Sequence, residues 1–282
     1  MESVAGTLPP RDHPCAEVMV EVSEARAYAS LIECSPQSLR HQFGLQARQL
    51  GLGCALLGGG IANTLLFNRV LGLGLSDPAS ATDLDLLDSL YAASAVASYA
   101  IELSPSAQPS NLAEVLCSRG FVPFKQTSMM VRSCAPIEAP ACALQVRRAS
   151  AHEAGAFAAL CCGVFGYAEP IPQILRATFD SPQWQHWIAF DGGSPVAAAM
   201  TYLRGDTGWI GWVCTLAEHR GKGAQTALAA AQLRGAAEAG LQWVTLEAAK
   251  GSKAHPGQSL RNYRRLGWTT VHDRAVYLRR PR

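Results

Sequence analysis

Along the second half of the chain the period of the apolar positions changes several times, and each change marks a new element. Leu144 to Arg148 alternates as a short strand, while Ala151 to Phe165 and Pro172 to Phe179 carry helical spacing. Trp184 to Phe190, Pro195 to Leu203 and Trp209 to Leu216 then read as strands. The turn-forming segments DGGS and RGDTG join them, which predicts an antiparallel meander. The alanine-rich stretch Ala224 to Ala239, stopped by Gly240, is the clearest helix signal. Leu241 to Ala249 predicts a strand, Leu260 to Leu266 a short helix ended by Gly267, and Thr269 to Leu278 a last strand. The fold class expected is therefore mixed α/β.

The first half repeats this ending. Leu116 to Arg132, LCSRGFVPFKQTSMMVR, aligns without gaps on Tyr263 to Arg279, YRRLGWTTVHDRAVYLR, which sets Gly120 on Gly267 and Phe121 on Trp268. Upstream, FNRVLGLGL (Phe67 to Leu75), the helix-like Thr82 to Ala95 and the strand-like Tyr99 to Leu103 repeat the order strand, helix, strand. Two related domains are expected. Between them Ser133 to Ala143, SCAPIEAPACA, has two prolines and no periodicity, as a linker does. The predicted organisation is a loose tail over 1–15, a first domain over 16–132, a linker over 133–143 and a second domain over 144–282.

Composition narrows the class. With 49% hydrophobic and 16% charged residues in 282, the chain is neither disordered nor a coiled coil. Gly51 to Leu75 is long enough to cross a bilayer, but Asn63, Asn68, Arg69 and its glycines argue for buried strands, so no membrane association is expected. Pro9, Pro10 and Pro14, without a basic start or an apolar run, do not form a signal peptide. Nine cysteines without C-x-x-C pairs fit a reducing cytoplasm. The net charge of +2 gives no global attraction to nucleic acid, although Lys250 to Arg282 holds nine Lys and Arg against a single acid, Asp273.

The chemical signal lies in Val213 to Ala224, VCTLAEHRGKGA, a glycine turn between a strand and the long helix. Such a turn leaves first-turn amides unpaired at the positive end of the helix dipole, where a phosphate or pyrophosphate can accept them. It is neither a Walker A loop nor G-x-G-x-x-G. Alone, R-G-x-G is an ordinary strand-to-helix turn.

The order of meander, VCTLAEHRGKGA, alanine-rich helix, LQWVTLEAA and SLRNYRRLGW resembles the GNAT superfamily of N-acetyltransferases over about Leu144 to Arg282. The resemblance implies a catalytic GNAT domain there and a degenerate tandem copy before it, each a mixed, mostly antiparallel sheet flanked by helices. It implies that acetyl-CoA is the co-substrate and that no metal is needed. The family's six-position loop has Gln or Arg first; here Glu218 stands there, with Gly221 and Gly223 at the fourth and sixth places. By the resemblance the amides of Arg220, Gly221, Lys222, Gly223 and Ala224 hold the pyrophosphate. The main chain of Val213, Cys214 and Thr215 pairs with the pantetheine arm, and Asn262 contacts the cofactor, while Ser259 reads as a helix cap.

Tyr263 stands where the family has a tyrosine that protonates the departing thiolate, with a core tyrosine as the alternative. Glu247 is the candidate base, and His219 and His186 are weaker ones. Trp209, Trp212, Tyr167 and Phe165 are candidates for an aromatic acceptor wall. In the first domain SDPASATD replaces the loop, with Asp77 and Asp83 in place of cations and Leu116 at the Tyr263 position, so no coenzyme A binding is expected there. The function expected is a cytoplasmic N-acetyltransferase acting on a primary amine of a small molecule or peptide. The alternative is a non-catalytic coenzyme A sensor or nucleic-acid-binding module.

Overall fold

Two long strands from opposite halves of the chain lie side by side at the centre of the molecule, and the rest of the fold is arranged about them. The computed structural model describes residues 16–61, 64–137, 142–251 and 257–280, so the predicted tail and part of the linker lie outside the described residues. In chain order the first half holds α1 (Ala16–Cys34), α2 (Gln37–Phe43), β1 (Leu45–Leu50), β2 (Gly53–Gly58), β3 (Arg69–Leu71), α3 (Ala81–Ala93), β4 (Tyr99–Leu103), α4 (Leu112–Ser118) and β5 (Phe121–Ser133). The second half holds β6 (Gln145–Arg148), α5 (Ala154–Phe165), α6 (Ile171–Ala177), β7 (Trp184–Asp191), β8 (Ser194–Arg204), β9 (Thr207–Thr215), α7 (Ala224–Glu238), β10 (Trp243–Ala249), α8 (Gln258–Arg265) and β11 (Thr269–Arg279).

The two expected sheets are one. The described strands run in the order β1-β2-β3-β4-β11-β5-β10-β9-β8-β7-β6. Only β3 with β4 and β9 with β10 pair in parallel; the other neighbours are antiparallel. β5 belongs to the first half by sequence but lies between β10 and β11, and β11 lies between β4 and β5. Each half thus lends its last strand to the other, a relation that the alignment of 116–132 on 263–279 does not reveal. The repeated glycines do the same local work, since Gly120 (φ +89°) and Gly267 (φ +86°) each turn the chain out of a short helix in the left-handed region.

Side chains alternate across the sheet. Cys54 and Leu56 of β2 face a core shared with α1, α5 and α6, whereas Ala55 and Leu57 face a core with α3 and α4. In β8, Ala198 and Met200 join the first core, and Ala197 and Ala199 pack on α7. Helix α1, which the sequence reading left unassigned, crosses the centre of the sheet and carries Glu21 and Glu24 fully buried. The expected strand over Phe67 to Leu75 is cut to Arg69–Leu71, because Gly72 (φ +72°) and Gly74 (φ +79°) leave extended geometry. No described helix is long and apolar enough to cross a membrane.

Candidate functional site

β9 and β10 part company partway along their length. Their parallel register pairs Trp243 with Thr207, Val244 with Gly208, Thr245 with Trp209 and Leu246 with Ile210, and ends there. Beyond this point β9 stays paired with β8 and β10 with β5. Gly211 and Glu247 are the first residues past the fork, and the edge of β9 from Gly211 to Thr215 faces the gap. A register shift against β8 falls between the Ala198–Cys214 and Met200–Gly211 pairs, where Trp212 sits at φ +54°. A non-glycine residue in that region marks a bulge that the surrounding packing enforces. An open strand edge of this kind can take an extended ligand as an added strand.

The β9 edge leads into the N-terminus of α7. Gly223 caps that helix at φ +83° without any side-chain cap, so the first amides of a 15-residue helix stay available. Gly221 stands at φ +79°, and a Cβ there would meet nothing within 4 Å. The loop borders a cavity of about 610 Å³ lined by Val213, Cys214, Thr215, Arg220, Gly221, Gly223, Ala224 and Asn262 of the predicted set. Lys222 is not a lining residue. Its ammonium lies 3.2 Å from Asp191 Oδ2, and its hydrogen bond holds the Asp191 carboxyl below the usual range. The cationic lining comes from Arg220 and Arg265. Arg265 was missed as a site residue within an arginine-rich C-terminal segment that gave no reason to single it out. Glu218 lies outside the lining.

A second missed residue ties the cleft wall together. Gln225, in the first turn of α7, donates from Nε2 to Ser259 Oγ (3.0 Å) and accepts at Oε1 from Asn262 Nδ2 (2.8 Å). Ser259 is therefore a partner of α7 and not the helix cap expected, since the N-cap of α8 is Gly257. Tyr263 is 3% exposed, with its ring edge-on to Trp268 at 5.1 Å. Burial pushes its hydroxyl up to about 12, which keeps it protonated. Tyr263 thus stands behind the wall that Gln225, Ser259 and Asn262 form.

Glu247 lies at the fork with its side chain 19% exposed, 3.4 Å from Arg274 Nη2 and 3.9 Å from Arg69 Nη1. The aromatic candidates divide. Phe165, Tyr167 and Trp212 form a cluster with ring centroids 5.8–6.3 Å apart, and Phe165 also lines the cleft. Trp209 instead packs in the core against Tyr28 and Trp184. His186 drops out as a base. It is stacked on Phe179 at 3.7 Å, and burial pushes its imidazole down to about 3. His219 lines the cleft and bonds Asp191 at 3.1 Å instead of facing only solvent. The Cys214 thiol turns into the core, 3.8 Å from that of Cys161, so only its main chain can serve the cleft. The eight described cysteines are all free thiols.

The corresponding place in the first half is closed by its own chain. The Gln108 amide donates to Gly74 O (2.9 Å) and the Ala79 amide to Gln108 O (2.7 Å), which fills the space beyond β3 and β4 with backbone. A Cβ on Gly74 would lie 2.5 Å from Gln108 O. At the N-terminus of α3, Ser80 and Asp83 form a reciprocal capping box, which satisfies the Ser80 and Asp83 amides and sets a carboxylate at the helix start, where it repels an anion.

Residues 145–271 match the family described as acetyltransferase (GNAT) domain. No curated protein matches the chain in sequence. Among solved structures the chain is similar to a GCN5-related N-acetyltransferase from Kribbella flavida, with 22% identity, 94% of this chain and 96% of that chain covered and a TM-score of 0.62. A GCN5-related N-acetyltransferase from Sphaerobacter thermophilus follows at 18% identity, coverage of 98% and 95% and a TM-score of 0.59. A tandem GNAT protein from the clavulanic acid biosynthesis pathway has 13% identity, coverage of 95% of each chain and a TM-score of 0.56. At these identities the likeness is one of fold, and it extends over both halves.

Proposed function

Residues 145–271 match the GNAT acetyltransferase domain, and on that premise we propose that the protein transfers an acetyl group from acetyl-CoA directly to a primary amine of a small molecule or peptide. The observation that carries this reading is the continuity of two features in one cleft. The unpaired edge of β9 from Gly211 to Thr215 runs straight into the uncapped amides of α7 behind Gly221 and Gly223. A pantetheine arm fits the first as an added strand, and a pyrophosphate fits the second, with Arg220 and Arg265 supplying countercharge.

The acyl end of such a ligand falls at the fork, beside Trp212 and Glu247. The amine attacks the thioester carbonyl there, and Glu247 is the group placed to take its proton. Tyr263 is the acid proposed for the sulfur side. Phe165 and Tyr167 wall the acceptor approach, and we assign the chain to the cytoplasm on its free thiols. The division into a first domain over 16–132 and a catalytic domain over 144–282 remains the reading of the duplication, with the strand exchange joining them.

Calorimetry with acetyl-CoA tests the binding half of this proposal. A thiol-release screen over amines, peptides and aminoglycosides tests the transfer half. Micromolar binding with amine-dependent thiol release is the expected outcome. Binding without release from any amine would favour the sensor reading, and no binding would remove both. The nucleic-acid reading predicts affinity tighter than about 10⁻⁶ M at physiological salt with a steep salt dependence; we expect neither.

A further inference from the structure

Behind Glu247 lies a buried charge cluster built largely by the other half of the chain. Arg274 of β11, fully buried, contacts Glu21 Oε2 at 2.9 Å and Glu24 Oε2 at 2.9 Å from α1, and also Glu102 of β4 and Glu247 of β10. Arg69 of β3 contacts Glu102 Oε1 at 2.5 Å and Glu24 Oε1 at 3.3 Å, with its guanidinium 4.1 Å from the Tyr28 ring centre. Glu21 is also held by His272 Nε2 at 2.8 Å. That leaves Glu24, Glu102 and Glu247, whose nearest oxygens all lie within 4.8 Å of one another, between two guanidiniums. Counting Glu21, four carboxylates face two guanidiniums and one imidazole, and only Glu247 among the four reaches solvent, so the buried part of the cluster favours holding a proton.

The surroundings decide which group holds it. Glu102 has the shortest contacts to both arginines; burial works against its charge, but Arg274 and Arg69 outweigh that and hold it at about 2. Glu247 reaches solvent. Glu24 is fully buried, and neither of its oxygens accepts a well-aligned hydrogen bond among the described residues. Burial above all, opposed by Arg274 and reinforced by Glu247, pushes its carboxyl up to about 8. The other groups facing it are Glu21 and Tyr28 on its own helix, Cys54 of β2, Arg69 and Glu102, while Tyr167 faces Glu247.

We propose that Glu24, from the half of the chain that lacks the cofactor cradle, is a positioning residue for Glu247. Its ionisation sets a negative charge beside Glu247 and draws on the same Arg274 nitrogen, which makes Glu247 the stronger proton acceptor. The inference rests on the role of Glu247 proposed above. In the step itself the amine nitrogen bonds to the carbonyl carbon and its N–H bond breaks, the proton going to a Glu247 oxygen. The C–S bond then breaks, and the sulfur leaves with its electron pair and takes a proton from the acid on that side. Glu247 returns its proton to water through its exposed edge, and Glu24 remains ionised throughout. The degenerate half is then part of the catalytic centre, because Glu24, Arg69 and Glu102 all come from it.

The test uses the full chain, acetyl-CoA and whichever amine releases thiol fastest. The turnover number of the wild type should rise with pH through a single-proton step from a lower to a higher plateau, centred near pH 8. Glu24→Gln, nearly isosteric and permanently neutral, should lose that step and stay low at pH 9, while Glu24→Asp should keep a step. An unchanged step in Glu24→Gln overturns the proposal. A second readout needs no acceptor and, in its wild-type part, no variant. The thermal midpoint of the wild type should fall as the pH rises from about 4.5 to about 8, where the unfolded chain has ionised this carboxyl and the fold still holds its proton, and should level off above that, and Glu24→Gln should remove that fall. A flat wild-type midpoint over this range overturns the proposal even if the variant does not fold. Glu247→Gln separates the two readings, since turnover that survives it removes the role of Glu247 whatever Glu24 does.

Discussion

Thr127 and Arg274 face each other across β5 and β11, and they are also the two residues that coincide when the chain's repeated segments are aligned. A residue pair that is both aligned and opposed marks the local dyad of the duplication. Both side chains are buried there, and Arg274 gathers carboxylates from α1, β4 and β10. The dyad of the fold and the charge cluster behind the fork therefore share one residue.

The exchange of β5 and β11 makes each half incomplete alone. Residues 1–137 and 142–282 produced separately should show no cooperative thermal transition, since each would expose the strand edges the other covers. Produced together they should co-purify as a one-to-one complex with a melting transition. A cooperative transition from either half alone would contradict this.

Gly221 and Gly223 both sit at positive φ, which valine adopts only with strain. The double substitution to valine should abolish acetyl-CoA binding by calorimetry, whereas the far-ultraviolet circular dichroism should stay that of the wild type because both residues are exposed. Near-native affinity in the double variant would remove the loop from the binding site.

Binding should be one acetyl-CoA per chain. The first-half cradle is closed by the Gly74–Gln108–Ala79 backbone bonds and by the Ser80–Asp83 capping box. A calorimetric stoichiometry of two would mean that this segment opens.

Tyr263→Phe keeps the packing against Trp268 and removes only the hydroxyl. If that hydroxyl serves the sulfur, turnover should fall by about 10²- to 10⁴-fold while the acetyl-CoA Kd stays within a few-fold. Gln225→Ala should weaken both, because Gln225 holds Ser259 and Asn262 at the cleft wall. An unchanged turnover number for Tyr263→Phe would leave the tyrosine as packing.

Glu102 governs the acid side of stability. Its carboxyl is held at about 2 in the fold against an ordinary 4.5, so it contributes stability above about pH 4.5 and loses it as the pH falls towards 2. Glu102→Gln strips two buried guanidiniums of a partner and should cost about 3–5 kcal/mol at neutral pH. Denaturant titrations of both proteins should converge as the pH falls below about 4; a pH-independent gap would mean that the loss is packing.

Much of this protein is legible in the order of its residues. The meander, the glycine turn and the long helix rest on short-range signals, namely alternation, left-handed glycines and helix propensity, and these set β7 to β9 and α7 close to their observed bounds. The fork needed more, because where β9 and β10 part depends on which strands hold each of them on the far side. Lys222 looked like a cradle cation in the sequence, but Asp191, 31 residues earlier, claims it through space. The exchange of β5 for β11, the gathering of Glu24, Arg69 and Glu102 behind Glu247, and the retreat of Tyr263 behind Gln225 are contacts between segments far apart in the chain. A buried carboxylate is indistinguishable from an exposed one in a string of residues, since its chemistry is decided by desolvation and by the charges that folding brings to it.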